Sequence, residues 1–291
     1  MKSIMKNRKI LVILVIFSIL IEMPIIAQSH EFSACLGSGL STLRYKLSDG
    51  DRTGRMGMDF GLGYTYHFQS ERITGTGDVN RQHWGIHTGI GLGLYNAKTK
   101  LNDVETVTKL NDNEPVFSDF DLHTTLSKYI EKQNTTYLNI PAMALFQFDQ
   151  FYAMGGFKFG IPLNQKYMYK DATLTNKAYY PELENYIIDK KDRGIGVFQG
   201  EDFKNNLELG IAVMLSLEGG VTWKMNSNFT LFTGLYFDYG LNNLAKGNRK
   251  DFINYNLEKP ADFTTNSVLS SFTDKTKIMA IGIIIRVAMK K

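Results

Sequence analysis

The chain has 291 residues, with 33 Lys and Arg, 29 Asp and Glu, a formal charge of +4 and one cysteine. Setting aside residues 1–27, which hold four basic side chains and one acidic one, leaves 29 basic against 28 acidic residues, so overall charge gives no reason to expect a nucleic-acid or polyanion partner. Cys35 alone excludes an internal disulfide, and 26 Gly, 19 Phe and 15 Tyr against 6 Pro suit a strand-rich chain better than a helical one.

Lys2, Lys6, Arg8 and Lys9 precede an apolar run from Ile10 to Ile21, ended by Glu22 and followed by Ile25-Ile26-Ala27-Gln28. Twelve residues fall short of the ~20 that a membrane-spanning helix needs. Residues 1–27 are therefore expected to be an export signal, with one domain over 28–291. Cys35 is separated from the apolar segment by polar residues and reads as a small residue in a first, less regular strand from Glu31 to about Tyr45.

Residues 55–68 read RMGMDFGLGYTYHF, and every second position is Met, Phe, Leu or Tyr while the alternate set holds Gly, Arg, Asp, Thr and His. Strict period-two alternation over fourteen residues is the signature of a strand with two unlike faces. The pattern recurs at 83–95, 134–148, 151–163, 207–223, 229–241 and 277–289, which makes eight strands, each long enough to cross a bilayer when tilted. Connections at 149–150 and 224–228 are tight and that at 69–80 is moderate, whereas 97–133, 164–205 and 243–276 are long and all leave odd-numbered strands. Short turns at one end and long loops at the other are the habit of transmembrane barrels.

Which face meets lipid follows from volume. Eight strands enclose a space that side chains of ordinary size just fill, and the apolar faces here carry far too many large residues for it. Charge agrees: Arg55, Asp59, Lys158, Glu208, Glu218, Asp238 and Arg286 all fall on the Gly-rich face, and inverting the phase would cost on the order of 10 kcal/mol. In so narrow a lumen these seven are expected to pair with one another and close any wide pore. Tyr64, Tyr66, Phe68, Trp84, Phe146, Phe148, Phe151, Trp223 and Phe229 share the apolar face near the short-turn ends and are expected to form an aromatic girdle against lipid.

Little else suggests chemistry. His83 and His87 lie ~13 Å apart along a strand, too far to share a metal. Asp119, Asp121 and His123 in the loop 97–133 could form a carboxylate-oriented base, but no nucleophile or second acid accompanies them. The stretch AYYPELENYII sets exposed aromatics beside acids, which suits contact with a protein partner or ligand. No cofactor or metal site is expected, and a monomer is.

The stretch YLNIPAMALFQF, followed after a two-residue turn by FYAMGGFKFGIPLN, resembles the PorT-like outer-membrane β-barrel proteins of Bacteroidota. The matching residues are Tyr137, Leu138, Ile140 and Pro141, then Gly155, Gly156 and Gly160. The resemblance implies an all-β fold, an eight-stranded antiparallel up-and-down barrel of the OmpA type, in the outer membrane of a Gram-negative bacterium, with short periplasmic turns and long extracellular loops. It implies no catalytic residues. Some relatives assist secretion machinery, which makes an accessory secretion role one expectation beside a structural or surface-interaction role; an enzyme or a small-solute channel are the others. The ending Val287-Ala288-Met289-Lys290-Lys291 departs from the aromatic terminus common in such barrels. Pro141 removes a ladder donor in a sheet without edges, so a bulge or break in pairing is expected there.

Overall fold

The computed structural model describes residues 29–47, 50–68, 82–111, 119–170, 172–200, 203–256 and 258–290. The expected export signal, its cleavage point and the connection 69–80 lie outside the described residues. Sixteen strands are present among those described: β1 Ser29–Arg44, β2 Asp51–Phe68, β3 Gln82–Leu101, β4 Val104–Asn111, β5 Asp119–Leu126, β6 Tyr129–Phe148, β7 Phe151–Lys170, β8 Ala172–Tyr180, β9 Asn185–Ile187, β10 Gly196–Gly200, β11 Phe203–Asn206, β12 Ala212–Lys224, β13 Phe229–Gly240, β14 Ile253–Asn254, β15 Thr264–Thr265 and β16 Lys277–Lys290.

Eight of them close into a ring. The order runs β7, β12, β13, β16, β1, β2, β3, β6, and β6 pairs back to β7, with every neighbour antiparallel. Closure removes the free edges that an open sheet would expose. The alternation read from sequence sorts the faces as volume requires: Leu40, Phe60, Leu62, Ile86, Leu217, Leu235 and Ile283 stand outward and exposed, while Asp59, His87, Lys158, Glu218, Asp238 and Arg286 are buried inside. Glycine makes room for the larger lumen groups. A Cβ on Gly63 would overlap the His87 ring, and one on Gly93 would overlap Asn139 and Tyr95.

Two features interrupt the ladder, the first at the proline where a break is expected. The β3–β6 register passes from Thr88–Ala142 to Gly91–Asn139, so it lapses at Pro141, whose backbone remains opposite Lys158 of β7. The carbonyl of Pro141 accepts instead from the Thr88 hydroxyl, at 2.9 Å. The sixth barrel strand begins at Ala212, not at residue 207. Leu207 and Leu209 leave the ladder, bonding to Gln165, and are buried, although period-two reading places them outward with Ile211.

The long connections are a folded head rather than open loops. β3, β6 and β7 each run 20 residues and project past the lipid-facing belt. Their outward positions turn polar there: Leu94 gives way to Asn96 and Lys98, and Leu138 to Thr136, Asn134 and Lys132. Above them β10, β8, β5 and β4 form a second antiparallel sheet, with β9 joined to β8. Its inner face, with Phe120, Leu122, Leu126, Leu174 and Ala178, packs with Phe252, Ile253 and Val268 from the connection 243–276 into one buried cluster. Alternation drives this too, since Phe120, Leu122, Thr124 and Leu126 lie on one face of β5 and Asp119, Asp121, His123 and Thr125 on the other.

Candidate functional site

The lumen charges converge in two tiers. Toward the head, Lys158 Nζ lies 3.1 Å from Asp59 Oδ2 and 2.9 Å from Asp238 Oδ2, so strands β2, β7 and β13 meet through one ammonium. The Ser216 hydroxyl donates to the other Asp238 oxygen at 2.6 Å, and the Tyr236 ring lies 6.0 Å from Nζ. Toward the short turns, Arg286 Nη2 donates to Glu218 Oε2 at 2.6 Å and Tyr152 donates to Glu218 Oε1 at 3.0 Å. Arg286 Nη1 donates to His87 Nε2 at 2.8 Å, which leaves Nδ1 of that ring as the N–H that meets Thr65 Oγ1 at 2.9 Å. His87 is thus a neutral spacer between an arginine and a threonine, not a metal ligand.

These tiers are enclosed above and below by apolar layers. Tyr95, Tyr137, Met214 and Ile278 lie on the head side, and Met143, Leu145, Met154 and Phe232 on the other. Such layers keep water from the ion pairs, which makes each unpaired charge costlier and each satisfied pair more rigid. The remaining cavity, lined by Cys35, His87, Asn139, Lys158 and Arg286 among others, has a volume of about 40 Å³. That is room for a few waters at most and for no organic substrate.

Sequence reasoning places five of its seven charged candidates beside one another in this layer: Asp59, Lys158, Glu218, Asp238 and Arg286. The other two lie elsewhere. Arg55 is one correction: at a register shift in β2 its guanidinium donates at 2.8 Å to Oδ1 of Asn134, an outward position of β6, so it does not share the lumen. Glu208 is the other correction: it is not in the lumen but exposed at the rim, 3.6 Å from Lys250 Nζ, because the chain leaves the ladder over 207–211 and the alternation loses its phase. Asn139, Tyr152 and Ser216 share the inward phase with the charges and could have been found by that phase alone.

At the short-turn end Phe68, Trp84, Phe148, Phe151, Trp223 and Phe229 are exposed, and Tyr64, Tyr66 and Phe146 are half-buried. Phe68, Trp84 and Phe146 form one cross-strand row, with Trp84 and Phe146 centroids 4.6 Å apart. Trp223 Nε1 donates to Thr233 at 2.9 Å.

The outer face of the head sheet is the second candidate. His123 Nδ1 lies 2.9 Å from Glu105 Oε1 on β4, and the histidine ring packs edge-on against Tyr179 and Tyr186, themselves 4.8 Å apart. The carboxylate that orients His123 is therefore Glu105, a residue the sequence alone did not single out. Beneath the head, fully buried Glu131 accepts from Tyr129, Gln133, the Ser267 hydroxyl and the backbone N–H of Val268. Burial holds its carboxyl above the ordinary range despite those donors. Burial likewise pushes the neighbouring Tyr45 hydroxyl, bonded to Thr99, up to about 12. Glu131 ties the connection 243–276 to the barrel wall and belongs to no motif.

A family profile described as "Outer membrane protein beta-barrel domain" matches residues 26–246. No curated protein sequence matches the chain. Among solved structures the chain is similar to Ail, the attachment invasion locus protein of Yersinia pestis, in a complex with the heparin analogue sucrose octasulfate and without it. Each match has 11% identity and a TM-score of 0.28; both cover 90% of this chain, and 99% and 98% of Ail respectively. The translocator domain of the autotransporter NalP from Neisseria meningitidis matches at 8% identity and a TM-score of 0.18, covering 99% of this chain and 95% of that one.

Proposed function

The chain belongs to the outer membrane protein beta-barrel domain family, and from that premise we propose that it is a non-enzymatic, non-conducting anchor whose extracellular head makes its contacts. It resides in the outer membrane of a Gram-negative bacterium. The observation that carries the proposal is the lumen, crossed at two levels by Lys158 with Asp59 and Asp238 and by Arg286 with Glu218, between apolar layers and with a cavity of only about 40 Å³. A lumen so filled favours a plug over an ion path. The head supplies what the lumen lacks, a solvent-facing sheet with Tyr179, Tyr186 and His123 beside acids and lysines, the mixture of rigid aromatic and polar groups that protein contacts use.

Planar-bilayer recording of the purified full chain tests this reading. No steady conductance is expected, and a large stable one would sink the plug. A second reading, an accessory role in protein secretion, is favoured by the Tyr137, Leu138, Ile140 and Pro141 stretch that resembles PorT-like barrels. Recovery of secretion components with the solubilised protein would support it.

A further inference from the structure

Near-zero net charge conceals a local imbalance at the head end of the barrel. Beyond the last exposed apolar residues, the outward positions become basic strand after strand: Leu40 leads to Arg44 on β1, Ile281 to Lys277 on β16 and Leu94 to Lys98 on β3. Lys132 on β6 and Lys166 on β7 continue the row. The register sets like charges directly opposite each other, Arg44 against Lys277 and Lys98 against Lys132. Like charges facing across a strand pair destabilise a sheet unless something neutralises them. Arg44 and Lys277 share the Tyr239 ring, at 5.7 and 5.6 Å, which holds both cations in place without cancelling either. Among the described residues none of these five makes an ion pair, while exposed acidic Asp51 stands opposite Lys100, one row farther out.

We infer that Arg44, Lys98, Lys132, Lys166 and Lys277 form a cationic collar that binds the phosphate groups of outer-leaflet lipids. Its position selects the occupant. Four residues separate Leu94 from Lys98, ~13 Å along the strand at ~3.3 Å each, or about 10 Å of height at a tilt of ~40°. Head groups extend roughly 5–7 Å beyond the hydrocarbon layer, and a half-buried lysine stem lying along the wall brings its ammonium back into that layer. A soluble anion would have no reason to be met by cations spread over five of the eight strands directly beyond the lipid belt. Lipid phosphates lie at that height around the whole circumference.

The test uses the full chain in phosphatidylcholine nanodiscs doped with diphosphoryl lipid A or with its dephosphorylated form. Lipid that stays with the barrel on extraction is quantified by mass spectrometry. Enrichment of the phosphorylated lipid by roughly tenfold or more is expected at low salt, declining as salt is added. Arg44→Gln, Lys98→Gln, Lys132→Gln and Lys277→Gln together should abolish the preference while heat-modified gel migration still reports a folded barrel. Should the fourfold variant not fold, the two opposing pairs are changed separately, each expected to lose part of the enrichment. Equal retention of the two lipids overturns the collar, as does unchanged enrichment in folded variants. So does strong binding of inositol hexakisphosphate in detergent without any lipid preference, which would assign the cations to a soluble polyanion.

Discussion

Lys158 is the residue on which the lumen depends most. Its ammonium is shared by two buried carboxylates from strands three places apart in the ring, so replacing it with methionine leaves Asp59 and Asp238 without their counter-ion in a site shielded from water. Breaking such a pair from one side costs ~3–5 kcal/mol. Lys158→Met should lower unfolding stability by about that amount in a urea titration followed by tryptophan fluorescence. Adding Asp59→Asn and Asp238→Asn should recover most of the loss, because no uncompensated charge then remains. Equal destabilisation by the single and triple changes would mean that packing, not charge, holds this level. Inward phase made Lys158, Asp59 and Asp238 legible as a group from sequence. Glu208 was misplaced because period-two counting assumes an unbroken ladder, and nothing at Leu207 to Ile211 announces that the strand has not yet begun.

At the scale of elements, the connection 243–276 is tied to the barrel wall by a buried carboxylate as well as by its apolar packing. Ser267 and the N–H of Val268 both donate to Glu131, which thereby caps the short helical turn Val268–Ser271. Burial raises the carboxyl in the docked form, so docking takes up a proton on acidification. The contribution is fully present below the ordinary carboxylate range and is lost as pH rises through the raised value. Limited proteolysis within 243–276 should therefore slow as pH falls from neutral toward that range. In Glu131→Gln the dependence should flatten, which separates Glu131 from every other acid. Glu131→Ala should speed cleavage at all pH values, and an unaltered rate would show that the apolar cluster alone holds the segment. None of this was legible in the sequence, where Glu131 is one acid among many and its partners in the connection, Ser267 and Val268, lie more than a hundred residues away.

For the whole molecule, ring and head are joined at places that can be cut. Leu101 and Tyr129 are cross-strand partners, so the hairpin of β4 and β5 leaves and re-enters the barrel at one point. Replacing residues 102–128 with Asn-Gly joins β3 to β6 by a two-residue turn of the kind hairpins favour. The ring should still close and show heat-modified migration, since none of its eight pairings is lost. The head should loosen, with protease cleavage appearing over 172–200 as Leu174 and Ala178 lose Leu122 and Leu126. Failure of the barrel to assemble would show that the head nucleates the ring.

The sequence by itself determined the barrel, because a period-two pattern with bulky residues on one face admits a single closed solution in eight strands: apolar side to lipid, small and charged side inward. It also determined that Asp59, Lys158, Glu218, Asp238 and Arg286 share the lumen, since phase is a local property wherever the ladder is unbroken. Only the tertiary structure decided that the three long connections fold into one head, because their strands pair across large sequence separations and their core is assembled from all three. The same holds for the pairing of His123 with Glu105, the capping by Glu131 and the facing of Arg44 with Lys277. Each depends on register between strands, and register is fixed by closure of the whole ring rather than by any one segment.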